Sequence, residues 1–171
     1  RVDNRIVEDL LAASPDCVRN ASVHQQEHSV EVQVPFIQVL FPEAKIVPVI
    51  VGSQEADLCQ RFGQALGGVL KGKQALIVAS SDLSHYPAYA EARSVDVAIL
   101  EAIPTLDAAR VRQAVREAMG RGIPNLHTAA CGEGPILAAM SAARVMGAKG
   151  GKVISYANSG DVAIGDLSRV V

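Results

Sequence analysis

The sequence has few aromatic residues and almost no net charge. It contains no tryptophan, and only 4% of its 171 residues are aromatic, so it offers few platforms for stacking on nucleic-acid bases. Its formal net charge of -2 provides no electrostatic attraction to nucleic acid or to an anionic membrane surface. We therefore expect neither nucleic acid nor a membrane as a partner.

Long apolar runs and cysteine pairs are also missing. The run "KIVPVIVG" falls far short of the roughly 20 apolar residues that a membrane-spanning helix needs. The three cysteines (Cys17, Cys59 and Cys131) are odd in number and widely separated, which is not the pattern of a disulfide framework. These features predict a protein of the reducing cytoplasm.

The composition that remains is that of a globular chain. Hydrophobic residues make up 49% and charged residues 20%, and the length suits one well-cored domain over residues 1–171. The sequence starts at Arg1 rather than at methionine and ends on the strand-like "SRVV". We expect a fragment of a larger protein that lacks an N-terminal part and is slightly truncated at its C-terminus.

Helical and strand-like apolar patterns alternate along the chain. Buried strands are predicted at 42–52, 74–80 and 151–160, and helices at 4–14, 53–72, 89–103, 107–120 and 135–148. This alternation predicts an α/β fold with a mostly parallel central sheet flanked by helices. Ligands of such folds bind beyond the carboxyl ends of the strands.

The stretch "EHSVEVQVPF" fits two patterns. Its alternating valines are typical of a strand, but the apolar residues from Val34 to Phe41 repeat at helical spacing. We predict a helix that is irregular at Pro35, with His28 at its N-terminal edge. The alternative for His28 is a polar lead-in to an amphipathic element.

Two further segments carry groups suited to chemistry. In "SSDLSHY", Asp82 and His85 follow a predicted strand and are three residues apart, so the carboxylate could orient the imidazole for acid–base work. Cys131 lies just before a helix that starts near Pro135, where the helix dipole favours a thiolate nucleophile or metal ligand. The alternatives are an Asp82 that caps a turn beside an exposed His85, and a Cys131 that is a small core residue.

Three motifs together resemble those of one family. "EHSVEVQVPF", "SSDLSHY" and "CGEGPI" occur in the order seen in the Memo family, also called AmmeMemoRadiSam system protein B, and "YANSGD" resembles that family's last strand region. The resemblance extends over essentially the whole chain. The family is similar in fold to the class III extradiol dioxygenases (LigB-like), which are non-haem iron enzymes.

The resemblance implies a metal site and roles for four residues. It places His28 and Cys131 at metal-ligand positions and makes His85, assisted by Asp82, the acid–base group. The implied cofactor is a divalent transition metal, with iron favoured over copper or zinc. A "PHAGY"-like motif that supplies a further histidine in the family is missing from this sequence, so we expect that the chain by itself holds the metal weakly or not at all.

Three functions agree with this pattern. The first is a metal-dependent redox enzyme of non-haem dioxygenase type, whose substrate the sequence does not identify. The second is a non-catalytic binding or scaffold protein that uses a dioxygenase-like cleft to recognise a peptide or a small molecule. The third is a cysteine hydrolase in which Cys131 is the nucleophile and His28 or His85 the base. The sequence leaves the oligomeric state open.

Overall fold

Six α-helices form the regular structure of the chain in the computed structural model, which describes residues 1–171. They are α1 (Asn4–Ala13), α2 (Ser29–Leu40), α3 (Ala56–Leu70), α4 (Tyr89–Ala102), α5 (Ala108–Gly120) and α6 (Glu133–Val145). Short 3₁₀ turns occur at Ser22–His24, Ile103–Thr105 and Ser159–Asp161. The predicted helices are confirmed, including α2, which contains Pro35 within its bounds.

The prediction of an α/β fold with a parallel sheet is wrong. The β-structure is limited to two isolated β-bridges, Val2 with Ile46 and His85 with Thr128. The predicted strands 42–52, 74–80 and 151–160 form no ladder with one another.

The sheet does not form because these segments do not lie close enough to one another to share hydrogen bonds. Neighbouring strands must lie about 4.8 Å apart to share hydrogen bonds. Residues of the second and third segments instead line a common cavity, and no backbone hydrogen bond joins them. Apolar side chains that the prediction placed inside the sheet are exposed instead: the exposed fraction is 76% for Leu76 and 86% for Ile154. The three segments are apolar, as their sequences show, but they do not pair with one another as strands.

Close packing of α3 against α6 organises the core. Gly63 and Gly67 of α3 face α6, where a Cβ on Gly63 would come 2.6 Å from the Cβ of Ser141. A Cβ on Gly67 would come 2.7 Å from the carbonyl oxygen of Ala142. Because both positions lack a side chain, the two helices approach closely and bury Leu137 completely. This contact fixes the position of α6 against α3.

A second apolar cluster joins α4 to α5 and to the loop before α6. Its fully buried members are Val95 and Ile99 of α4 and Ala129 of the loop, packed with Ala118 of α5. The two clusters together hold the loops that precede α4 and α6.

Helix α2 lies on the surface and is tied to the rest of the chain by few contacts. None of its residues is buried, and Phe36 and Val39 are 68% and 80% exposed. The side-chain amide of Gln33 donates a hydrogen bond to the Ser80 hydroxyl at 3.3 Å. The carboxylate of Glu27 accepts the free N–H groups of Ser29 and Val30, and these bonds lower the pKa of Glu27 below its usual 4.5.

None of the helices is both long enough and apolar enough to cross a lipid bilayer.

Candidate metal centre

Three side chains with metal-binding atoms meet where two loops touch. Asp82 and His85 come from the loop before α4, and Cys131 comes from the loop before α6. One oxygen, one nitrogen and the sulfur of these residues all lie within 4.8 Å of one another. Folding therefore joins two of the segments that the sequence singled out separately.

Two hydrogen bonds, one to the sulfur and one between backbones, hold Cys131 against Asp82. The Asp82 N–H donates to the Cys131 Sγ at 3.2 Å, and the Cys131 N–H donates to the Asp82 carbonyl oxygen at 3.2 Å. The two bonds hold the sulfur of Cys131, which is exposed, beside the carboxyl group of Asp82.

Gly132 and Ser81 make this close approach possible. The Gly132 N–H donates to the Ser81 Oγ at 2.9 Å, and the Ser81 hydroxyl donates to the Asp82 carbonyl oxygen at 2.7 Å. A Cβ on Gly132 would come 2.6 Å from the Ser81 Cβ. A side chain at position 132 would therefore push the two loops apart.

His85 is fixed by its backbone while its ring faces the group. Its N–H donates to the Thr128 carbonyl oxygen at 3.0 Å, and its carbonyl oxygen accepts from the His127 N–H at 3.1 Å. The ring Nε2 is buried without a hydrogen-bond partner and lies 3.7 Å from the Asp82 Oδ2. A buried imidazole nitrogen without a partner is rare, and a metal ion held with Cys131 would satisfy it.

The residue after His85 has an unusual backbone conformation. Tyr86 has a φ of +73°, which bulky residues rarely adopt. The Arg169 guanidinium lies 4.1 Å from the centroid of its ring, and the His127 ring contacts it edge-on at a centroid distance of 5.0 Å. This packing keeps the turn that directs the neighbouring His85 ring inward.

His28 lies outside this group. It is the N-cap residue of α2, its side chain is 77% exposed, and its Nδ1 lies 3.2 Å from the Glu31 Oε2. The tie between Gln33 and Ser80 keeps α2 beside the loop that carries Asp82. The assignment of His28 as a metal ligand stays a prediction.

Sequence reasoning placed Asp82 beside His85 by their spacing, and it joined Cys131 to them only through the family resemblance. It did not predict that Ser81 contacts the backbone of Gly132. The sequence contains a signal for each residue: Ser81 belongs to the polar residues that directly follow an apolar run, and Gly132 is one of the two glycines on either side of Glu133. Neither signal indicates that the two segments meet.

The donor set of Asp82, His85 and Cys131 fits a transition metal. Thiolate and imidazole ligands suit iron, copper or zinc, whereas magnesium prefers oxygen ligands alone. Three protein groups are also the usual number at a catalytic metal that keeps an open position. The residues present therefore satisfy the chemical requirements of such a site.

Iodoacetamide should alkylate Cys131 at least about tenfold faster than Cys59 at neutral pH. Cys131 is exposed, whereas Cys59 is fully buried. Burial, followed by the nearby Glu133 carboxyl group, raises the pKa of the Cys59 thiol. Peptide mass spectrometry over a time course measures both rates, and Cys131→Ser should remove the fast reaction only. Equal rates would contradict the reactive sulfur and with it the cysteine-hydrolase hypothesis.

Comparison with known proteins identifies the family. The model of the family described as "Memo-like protein" matches residues 1–171. A MEMO1 family protein of Caldivirga maquilingensis is 33% identical over 164 residues, which cover 95% of this chain and 55% of that protein. A MEMO1 family protein of Aquifex aeolicus is 38% identical over 174 residues, which cover 99% of this chain and 60% of that protein. No solved structure matches the chain.

The chain therefore belongs to the Memo-like protein family, as the motifs predicted. It spans somewhat more than half the length of these curated relatives. The similarity to class III extradiol dioxygenases stays a prediction, and the sheet expected from it does not form in this chain.

Proposed function

We propose that this chain carries a divalent transition-metal centre built on Cys131, with Asp82 and His85 beside it, and that the family domain uses the metal in oxidation–reduction chemistry of non-haem dioxygenase type. The observation that carries the proposal is the convergence of the three ligand atoms within 4.8 Å. The unpartnered, buried Nε2 of His85 supports it, since a buried polar atom needs a partner.

The chemistry of the donors restricts the metal. A thiolate and an imidazole favour iron, copper or zinc, and zinc has no redox chemistry of its own, so the proposed function needs iron or copper. Iron is the first choice, by the resemblance to non-haem iron enzymes. When bound, the metal would supply one-electron chemistry and charge stabilisation to a bound substrate.

The protein groups would have distinct tasks. The Asp82 N–H donates to the Cys131 sulfur, and the Asp82 carboxylate lies 3.7 Å from the His85 Nε2. If His85 does not ligate the metal, this carboxylate–imidazole pair is free to move a proton next to the sulfur. His28 would add a second imidazole to the ligand set.

A binding or scaffold function is the second candidate, and the surface of α2 favours it. Val32, Phe36 and Val39 are all more than half exposed on this helix. Apolar side chains grouped in this way mark sites of interaction with other molecules. Such a function would need α2 but not the sulfur of Cys131.

Cobalt(II) binding tests the metal centre. Titration of the 171-residue chain should produce the near-ultraviolet absorption of a cobalt–thiolate bond, and Cys131→Ser should abolish this band. The same variant should weaken cobalt binding by about tenfold or more, since it removes a ligand. His24→Ala is the matched control, because His24 is an exposed histidine of the 3₁₀ turn Ser22–His24 that is not part of the Asp82–His85–Cys131 group, and it should leave binding unchanged.

Two further variants identify the imidazole ligand. If His85 ligates, His85→Ala weakens cobalt binding; if His28 ligates, as the family resemblance implies, His28→Ala does so. Binding that survives Cys131→Ser, His85→Ala and His28→Ala at full strength would contradict the metal centre.

A further inference from the structure

A cavity of about 450 Å³ lies between α4 and α6. Its apolar wall is formed by Leu100, Ile103, Ile136 and Met140, and the extended segments that contain residues 79–83 and 155–158 border it. Ser81 and Asp82 line the same cavity, so it borders the candidate metal centre. Its volume lies within the usual range for small-molecule sites.

One part of the wall is polar, and its side chains are joined by hydrogen bonds. The Tyr156 hydroxyl donates to the Asp96 Oδ2 at 2.6 Å, and the Ser84 N–H donates to the Asp96 Oδ1 at 2.9 Å. The Asn158 amide donates to the Tyr156 oxygen at 3.0 Å. Burial, together with the hydrogen bond to Asp96, raises the pKa of Tyr156 to about 12, so its hydroxyl keeps its proton.

These groups still have bonding capacity for a ligand. The Asn158 amide has a second N–H, and the Tyr156 oxygen has a second lone pair. One donor and one acceptor side by side match a hydroxyl group, which can accept from the amide and donate to the phenol oxygen. A purely apolar molecule would leave both positions without a partner, at a cost in free energy.

Charges of both signs lie around the cavity. The lining contains two acidic residues, Asp82 and Asp96, and no lysine, arginine or histidine, which disfavours an anion. The Arg93 guanidinium lies 5.5 Å from the centroid of the Tyr156 ring and offsets part of the negative charge at the polar end. The Asp96 carboxylate also accepts hydrogen bonds from Tyr156 and Ser84, so its charge is largely compensated and an uncharged ligand is favoured.

We infer that this cavity binds a small, uncharged and mainly apolar molecule through a hydroxyl group held by Asn158 and Tyr156, and that it is the substrate pocket of the metal centre. The second clause rests on the proposed function, whereas the binding itself does not. The apolar wall holds the body of such a molecule, and Asp82 joins the cavity to the sulfur of Cys131.

Three compounds with one apolar body test the inference. 1-Adamantanol, 1-adamantanamine and 1-adamantanecarboxylate differ only in their polar group, and their affinities can be measured by NMR titration of the ¹⁵N-labelled chain. We expect the alcohol to bind roughly tenfold tighter than either charged compound, with shifts centred on the cavity residues. Equal affinities, or shifts confined to other surfaces, would overturn the inference.

Matched variants locate the binding site. Tyr156→Phe should weaken 1-adamantanol roughly tenfold, whereas Tyr89→Phe, which removes a hydroxyl outside the cavity, should leave its affinity unchanged. Ala139→Phe fills the cavity and should abolish binding, while Ala143→Phe, one helical turn further along α6, should not. Retention of binding by Ala139→Phe would contradict the proposed site.

A metal titration separates this inference from the proposed function. If 1-adamantanol binds and the cobalt–thiolate band is absent, ligand binding in the cavity is supported and its link to a metal centre is contradicted. If cobalt binds and the alcohol does not, only the inference about the cavity is contradicted. If both bind, cobalt should shift the affinity for the alcohol at least about twofold in the wild-type chain and not in Cys131→Ser, as reciprocal coupling requires. If cobalt does not change the affinity for 1-adamantanol, the cavity is not the substrate pocket of the metal centre.

Discussion

Gly63→Ala is expected to lower the free energy of unfolding by about 2 kcal/mol, as the net of two opposing effects. Alanine favours a helix over glycine by about 1 kcal/mol, which stabilises α3. The new methyl group would overlap the carbonyl oxygen of Ala138 and come 2.6 Å from the Cβ of Ser141. Because the first of these atoms belongs to a helix backbone, it cannot rotate away, and overpacking costs about 3 kcal/mol at such a site.

Gly68→Ala provides the matched control in the same helix. A Cβ at this position has no neighbour within 4 Å, so only the gain in helix propensity remains. We expect it to raise the free energy of unfolding by about 0.5–1 kcal/mol. Urea unfolding followed by circular dichroism measures both variants. Effects of the same sign would contradict the close packing of α3 on α6.

Gly132→Ala is expected to destabilise the chain by about 2 kcal/mol and to open the metal centre. The backbone of Gly132 has φ -102°, which alanine adopts without strain, so the cost comes from contacts alone. The methyl group would come 2.6 Å from the Ser81 Cβ and 2.8 Å from the Ser80 carbonyl oxygen. Relief of these contacts separates the two loops that bring Asp82 to the sulfur.

The readouts of Gly132→Ala distinguish a local from a global effect. We expect weaker cobalt binding in solutions where circular dichroism still shows a fully folded chain. Gly52→Ala is the control, because a Cβ there meets nothing within 4 Å. Unchanged cobalt affinity in folded Gly132→Ala would show that the contact between the loops does not support the metal centre.

The helices could be predicted from the sequence because their signals are local. The apolar stripe of 4–14, the helix start near Pro135 and the helical spacing after Val34 depend on residues a few positions apart. The structure confirms each of these helices with small changes at the ends. In α2 the helical spacing prevailed over the alternation of valines, since an isolated strand would have had no partner.

Whether a sheet forms could not be predicted in the same way, because a strand is stable only beside another strand. The run "QALIVAS" has the composition of a buried strand, yet Leu76 is exposed and no neighbouring strand pairs with it. Composition specifies a preference for apolar surroundings. Whether a partner lies within hydrogen-bonding distance depends on the rest of the fold.

Part of the candidate site follows from the sequence, and part of it depends on the tertiary structure. The sequence by itself determined the family, through three separated motifs, and it also determined the pairing of Asp82 with His85, through their spacing of three residues. Only the tertiary structure decided that Cys131 joins them, that His28 stays at the exposed edge of α2, and that a cavity adjoins the group. Local spacing directs a side chain within its own segment, whereas contacts across about 50 residues depend on how helices such as α3 and α6 pack and carry their loops together.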